Sequence, residues 1–312
     1  MILAAGAGRR IGRLGQRYPK ALLPVLGRPI ISWQLEALKR HGIDDAVIVV
    51  GHLGESIRAA LGDGSERGMR LVYREQTEPN GIAHALSFAQ DAIEGPFVLL
   101  LGDIFFAPGD LEGVLSLLRA QDNQGVLVVQ HESDLDQVRK NFTVELAEDG
   151  PRAGFVERVI EKPQDPVTTL KGTGLYAFDP GIFDAIDGTP RSSLRNEYEL
   201  TDAIQVFVDR GAKLRTFETS ARDFNLSEVR DLLQLNLHAL KGEGLENFVE
   251  PTASVGKRVQ LERSVVLAGA TIESSARLSE CLVFPGERVR TGDYSCTVFA
   301  GGSSIRCEPG VT

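Results

Sequence analysis

Glycines at 6, 8 and 12 follow the apolar run Ile2-Leu3-Ala4-Ala5, and six cations (Arg9, Arg10, Arg13, Arg17, Lys20 and Arg28) come before the first acidic residue, Glu36. Glycines in series let backbone N–H groups converge on one anion, and arginine and lysine neutralise charge that builds on a leaving phosphate. Three readings compete on the residues alone. A dinucleotide-binding turn needs a helix running on from the third glycine and an acid about 20 residues further. Pro19 and Pro24 interrupt that helix, and 26–31 holds no acid. A flexible basic loop needs glycines only for backbone reasons. A phosphate cradle uses glycines and cations together, including Lys20 ahead of "ALLPV".

Further along, in "EQTEPNGIAHAL" (75–86), Gln76 carries an amide that can both donate and accept, and Gly81 sits at the start of a helix, where a glycine in the turn is the plain reading. "LLLGD" puts Asp103 at the carboxyl end of an apolar strand, where open α/β sheets bind ligands and where Mg²⁺ takes a carboxylate. A strand-terminating aspartate is the plainer reading. Glu161-Lys162-Pro163 is a charged pair before a turn, and Thr201 or Asp202 suits a helix cap.

These residues need a frame. Apolar strands over 2–5, 45–51, 96–106 and 125–130 alternate with helical patterns over 29–42 and 81–93. Continuous rather than alternating apolar strands predict an α/β fold, a mixed, mostly parallel Rossmann-like sheet covered by helices. "FTVEL", "FVERVIEKP", "GTGLYAFDP" and "KLRTFE" read as further strands, and "YELTDAIQVFVDRG" and "VRDLLQLNLHALKG" as helices.

After 241–248 the period changes. Val249, Val255, Leu261 and Leu267 recur every six residues, with Ala253, Val259, Val265 and Thr271 four later. After one slip the register resumes at Ile272, Leu278 and Phe284, with Ala276 and Leu282 at the second position. A six-residue period predicts a short parallel β-helix. The expected domains are 1–240, a linker over 241–248, and the repeat over 249–312.

Composition excludes several classes. The 312 residues are 42% hydrophobic and 25% charged with a net charge of -9, which argues against a nucleic-acid binder or an anionic-membrane binder. Residues 1–40 nevertheless carry +7, which suits a small polyanion or a solvated basic face. Three late cysteines without metal spacing fit a reducing cytoplasm. No apolar run of 18 residues is present, and no leader is expected ahead of the first strand.

The segment "GAGRR…PKALLPV…GRPII" resembles the signature of the sugar-nucleotide pyrophosphorylases, which are nucleoside-triphosphate:sugar-1-phosphate nucleotidyltransferases. The resemblance is nearest to the glucose-1-phosphate thymidylyl- and uridylyltransferases and covers most of 2–240. It implies Mg-dependent nucleotidyl transfer from dTTP or UTP to a sugar 1-phosphate, by a cytoplasmic homo-oligomer. It implies that Arg10 and Lys20 activate the triphosphate, and that Leu3, Ala5, Gly6, Gly8, Arg9, Gln76, Pro79, Gly81 and Gly102 line the nucleotide. Glu161 would hold sugar hydroxyls and Lys162 the sugar phosphate, with Gly174 and Tyr176 near the sugar. Asp103 and Asn225 would hold Mg²⁺, with Asp223 as the fallback for the second. The hexad region would be a left-handed β-helix.

Two residues depart from the pattern. Arg9 stands where the family has Thr or Ser, and Phe142 stands where it has a glycine whose amide contacts the sugar. Phe142 is expected to crowd a hexose pocket. That motivates an alternative: a cytidylyl- or guanylyltransferase acting on a polyol, cyclitol or amino-alcohol phosphate. A non-catalytic paralogue that binds nucleotide sugar is the other alternative.

Overall fold

The computed structural model describes residues 1–6, 8, 11–106, 108–193, 195–219 and 224–308. Contacts divide the chain into two compact units: Met1–Gly6 with Gln34–Asp223, and Ala7–Trp33 with Phe224–Thr312.

The first unit is a nine-stranded sheet. Its strands are β1 (Ile2–Ala4), β2 (Asp45–Val50), β3 (Arg70–Glu75), β4 (Phe97–Leu101), β5 (Gly125–His131), β6 (Phe142–Leu146), β7 (Val156–Glu161), β8 (Leu170–Phe178) and β9 (Leu214–Glu218). The order is β7-β6-β8-β4-β1-β2-β3, with β5 on β8 and β9 on β5. The pairs β1–β2, β1–β4, β2–β3 and β5–β9 are parallel; those within β6, β7 and β8, and those of β8 with β4 and β5, are antiparallel. The sheet is thus mixed, its parallel part confined largely to the N-terminal strands.

Residues alternate between the two faces of a strand. Phe97 and Leu99 join a core with Leu3, Val49, Leu127, Tyr176 and Phe178. That core also includes Ala83, Leu86, Ile182, Phe183, Ile204 and Phe207 from helices Ile82–Ser87, Gly181–Asp187 and Leu200–Asp209. Val98 and Leu100, on the opposite face, are buried too. Coverage on both faces is why these strands read as continuous apolar runs.

β1 lies between β2 and β4, so the connections leave it in opposite directions, and the carboxyl ends of β1, β2, β3 and β4 share one edge. Strand β8 overshoots that edge. Leu175 pairs with Leu100, while Lys171 pairs with Thr143 at the start of β6, and Phe142 pairs with Glu161 at the end of β7. By register, Glu161 is carried to about the level of Asp103, three strand spacings (roughly 14 Å) across the sheet.

In the second unit a hairpin, Pro24–Val25 with Arg28–Pro29, is tied to helix Val229–Gly242. Fully buried Asn236 donates to the carbonyls of Pro24 (3.0 Å) and Leu232 (2.9 Å) and accepts from the Leu26 amide (2.9 Å). The hexad region forms three parallel ladders, the arrangement of a short three-sided β-helix. Its rows are Val249-Val266-Val283-Phe299, Val255-Ile272-Val289 and Leu261-Leu278-Tyr294. The one-residue slip falls earlier than the sequence places it, before Val266 rather than after Leu267. Each of the first turns advances 17 residues, because a five-residue side falls between 261 and 266 and again between 278 and 283. Leu267 and Phe284 are buried one residue past the rows in which the hexad count places them. Strand Ser303–Arg306 closes the last turn by pairing antiparallel with Thr297–Ala300.

Candidate active site

The described candidates of the first unit gather along the carboxyl edge. Leu3, Ala5 and Gly6 lie at the end of β1, and the Gly102 amide donates to the Leu3 carbonyl at 2.8 Å. Asp103 occupies the turn after β4 and is half-buried. Gln34 props this turn from below: its Nε2 donates to the carbonyls of Leu101 (2.8 Å) and Ile104 (2.9 Å), one on each side of Asp103. The residue is 1% exposed. The sequence reading passes over Gln34, because a lone glutamine on a helix carries no signal until its partners are known.

Gln76 follows β3, and its backbone amide bonds the Val50 carbonyl at 2.8 Å. Its side-chain Nε2 lies 3.2 Å from the Gly81 carbonyl oxygen and 3.2 Å from His84 Nδ1. Pro79 is exposed in the same loop. Gly81 has φ +110°, and a Cβ there would stand 2.4 Å from the Tyr198 oxygen. Tyr198 bonds this loop through Tyr198 N–H to Asn80 O (2.8 Å) and Ala83 N–H to Tyr198 O (3.0 Å). Only glycine supplies both the backbone angle and the close approach.

At the end of β7, Glu161 accepts from Lys162 Nζ (2.8 Å), Arg195 Nη2 (3.2 Å) and Thr201 Oγ1 (3.4 Å). Lys162 has φ +47°, uncommon for a residue with a side chain, and its amide bonds the Asn141 carbonyl at 2.9 Å. Backbone held there by its surroundings concentrates at ligand sites. Arg195 makes a two-point contact with buried Glu199, Nε to Oε1 at 2.6 Å and Nη2 to Oε2 at 2.5 Å. Burial works to lower the Arg195 guanidinium, but the Glu199 hydrogen bond and the charges of Glu199, Glu161 and Glu197 outweigh it and hold it raised. Burial, then the Glu161 charge, raises the Asp202 carboxyl against the pull of Arg195. Neither Thr201 nor Asp202 caps a helix. The N-cap is Glu199, and Thr201 turns its hydroxyl to Glu161. Arg195, 34 residues from Glu161, is a site residue the sequence reading misses; its bond to Glu161 exists only in the fold.

Two candidates sit elsewhere than expected. The Phe142 ring is 6% exposed and lies over Gly172, where an added Cβ would be 1.7 Å from Phe142 Cζ. It stacks on Tyr176 (6.0 Å, 17°), which stacks on Phe178 (5.9 Å, 18°). Its side chain therefore packs in the core. Tyr176, 4% exposed, is likewise a core ring. Gly174 packs on the Asp103 strand: a Cβ there would meet Ile104 Cγ2 at 2.8 Å and Leu101 Cδ1 at 3.1 Å.

The second unit carries the rest. Gly8 has φ +62°, and the loop folds so tightly onto Gly15 that a Cβ at Gly15 would stand 2.1 Å from the Gly8 oxygen. Lys20 opens a single 3₁₀ turn, and its Cγ would lie 3.5 Å from a Cβ on Gly8. Asn225 is exposed in the short strand Phe224–Asn225. Arg9, Arg10 and Asp223 lie outside the described residues. Among the described residues no group of three His, Cys, Asp or Glu side chains could hold a metal. Asp103 in the first unit and Asn225 in the second each carry the hard oxygen donor that Mg²⁺ takes.

An open α/β sheet that carries a strand-end aspartate and a Glu-Lys-Arg cluster at its carboxyl edge is the setting in which such folds bind ligands. The chain belongs to the nucleotidyl transferase family, whose model matches residues 1–239. It is 32% identical over 268 residues to a low-salt glycan biosynthesis nucleotidyltransferase of Haloferax volcanii, covering 85% of this chain and 72% of that one. It is 31% identical over 298 residues to a glucose-1-phosphate thymidylyltransferase of Streptomyces griseus, covering 94% and 79%. A solved UDP-glucose pyrophosphorylase complexed with UDP-glucose shares the fold, with a TM-score of 0.66 and 21% identity over 77% of this chain and 97% of that one.

Proposed function

We propose that this enzyme transfers a nucleotidyl group from dTTP or UTP to a sugar 1-phosphate, giving a nucleotide sugar and pyrophosphate. The observation that carries the reading is the cluster at the end of β7: Lys162, in left-handed backbone, and Arg195 both point at one carboxylate, Glu161. Two cations held this way can exchange a carboxylate partner for a phosphate dianion. The thymidylyltransferase relative, which the chain matches over 94% of its length, supports the choice of nucleotide and sugar.

In this reading a phosphate oxygen of the sugar 1-phosphate attacks the α-phosphorus and pyrophosphate leaves. Positioning and charge neutralisation carry the rate, as in phosphoryl transfer generally. Lys162 and Arg195 hold the attacking phosphate, Glu161 takes sugar hydroxyls, and Lys20 with Arg10 stabilises the pyrophosphate. Gln76 reads the base. Asp103 and Asn225 would hold Mg²⁺, which when bound neutralises phosphate charge. Residues 1–240 form the catalytic part, 241–248 the linker and 249–312 the repeat, in a cytoplasmic homo-oligomer. No helix among the described residues is long and apolar enough to cross a membrane. With Phe142 in the core, its ring gives no reason to prefer a polyol or cyclitol phosphate over a hexose.

The test is pyrophosphate release with Mg²⁺ across nucleoside triphosphates and phosphorylated acceptors. Release requiring a hexose 1-phosphate and a pyrimidine triphosphate supports the reading; release only with a non-sugar phosphate refutes it. Asp103→Asn should abolish nearly all turnover with the fold intact, and a normal kcat would refute the metal assignment.

A further inference from the structure

The Gln76 amide has two ends that a base could meet: an oxygen that only accepts and a nitrogen that only donates. Which end is presented depends on a half-turn of the amide, and its surroundings decide that turn. The Gly81 carbonyl oxygen lies 3.2 Å from Nε2 and can only accept, so the nitrogen belongs on that side. His84 Nδ1 lies 3.2 Å from the same nitrogen. Facing an N–H, that ring nitrogen must be bare, so this arrangement uses neutral His84 with its proton on Nε2. Both Nε2 hydrogens are then engaged, and Oε1 is the end left to meet a ligand.

The His84 ring is itself held in place. It meets Phe88 edge-on at 4.9 Å and stacks near Tyr198 at 6.1 Å and 23°. The Arg191 guanidinium lies over Tyr198, 4.8 Å from its centroid. Tyr198 is also the residue whose backbone clamps the Gly81 loop. One segment therefore sets both acceptors that face Gln76.

We infer that His84 is a positioning residue for pyrimidine selection: by taking the second N–H of Gln76 it keeps Oε1 presented, so the site accepts a pyrimidine with an N–H at ring position 3 and rejects one with a bare nitrogen there. Uracil and thymine offer that N–H and cytosine does not. This inference rests on the nucleotide-transfer reading above, with the base at Gln76. Without His84, one N–H loses its partner and the turned amide, offering donors to cytosine, becomes easier to reach.

The experiment compares kcat/KM for UTP and CTP, with glucose 1-phosphate and Mg²⁺, in the full-length wild type and in His84→Leu, His84→Gln and His84→Arg. Losing one hydrogen bond should lower the UTP-to-CTP ratio of His84→Leu about 5- to 10-fold, mostly through KM. His84→Gln, whose side-chain oxygen can again accept from Gln76, should recover the ratio. His84→Arg offers only donors to Gln76 and should shift the ratio furthest toward CTP; it tests the inference even if the leucine variant does not fold. A ratio unchanged in both His84→Leu and His84→Arg, with equal losses of kcat for the two nucleotides, would reduce His84 to a packing residue and overturn the inference. So would a wild type that prefers CTP. A wild type that turns over no triphosphate would instead refute the transfer reading itself.

Discussion

Replacing Phe142 with alanine removes a ring that is 6% exposed, stacked on Tyr176 and resting over Gly172. A buried phenylalanine cut to alanine costs about 3–5 kcal/mol in lost transfer energy and residual cavity. The reciprocal change, Gly172→Ala, puts a Cβ 1.7 Å from Phe142 Cζ, so the ring must move, at about 1–3 kcal/mol. In the double variant the new methyl enters space the ring has left. Its cost should therefore fall below the sum of the single costs by more than about 1 kcal/mol. Urea unfolding followed by far-ultraviolet circular dichroism measures all three, with glucose 1-phosphate KM determined on the same samples. A Phe142→Ala cost under about 1 kcal/mol together with a changed KM would return the ring to the sugar pocket. Strict additivity would refute the Phe142–Gly172 contact.

Lys162→Ala should raise the KM for the sugar phosphate about 10- to 100-fold, the worth of a hydrogen bond to a charged group, with little change for the triphosphate; the reverse pattern in steady-state kinetics would move Lys162 to the other substrate. Asp202 has a raised folded-state pKa, from burial first and Glu161 second, so its ionised form costs stability at neutral pH and the cost fades as pH falls through that raised value. Thermal melts should show Asp202→Asn with a higher Tm than wild type at neutral pH and a difference that shrinks in acid; an equal gain at every pH would disprove the charge origin. Burial pushes the Cys281 thiol up to about 11, so mass spectrometry should find it nearly unlabelled by iodoacetamide at about pH 8 until the protein is unfolded. Rapid labelling of native protein would contradict its burial in the β-helix core.

The parts of the fold legible in the sequence are those whose signal is local. Gly102-Asp103 ends a run of apolar residues, and a strand buried on both faces announces its own carboxyl end. The hexad period with its one slip indicates stacked turns, but it places the five-residue side one row late, after Leu267 rather than before Val266, because Leu267 and Phe284 are as apolar as the row members Val266 and Val283. The burial of the Phe142 ring is not legible in its strand position. Strand position puts it opposite Glu161, but its ring direction depends on the missing Cβ of Gly172, 30 residues away. Arg195 and Gln34 stayed silent because their partners, Glu161 for one and the Leu101 and Ile104 carbonyls for the other, are brought to them only by the sheet.

In the proposed reaction the Glu161–Lys162–Arg195 cluster receives the sugar phosphate for nucleotidyl transfer. The most direct measurement is chromatographic detection of the nucleotide sugar formed from UTP or dTTP and glucose 1-phosphate with Mg²⁺, by wild type and by Arg195→Ala. Wild type should form UDP- or dTDP-glucose together with pyrophosphate, and the variant should show much weaker saturation by glucose 1-phosphate with triphosphate KM nearly unchanged. No nucleotide sugar from any hexose 1-phosphate, or an Arg195 variant indistinguishable from wild type, would contradict it.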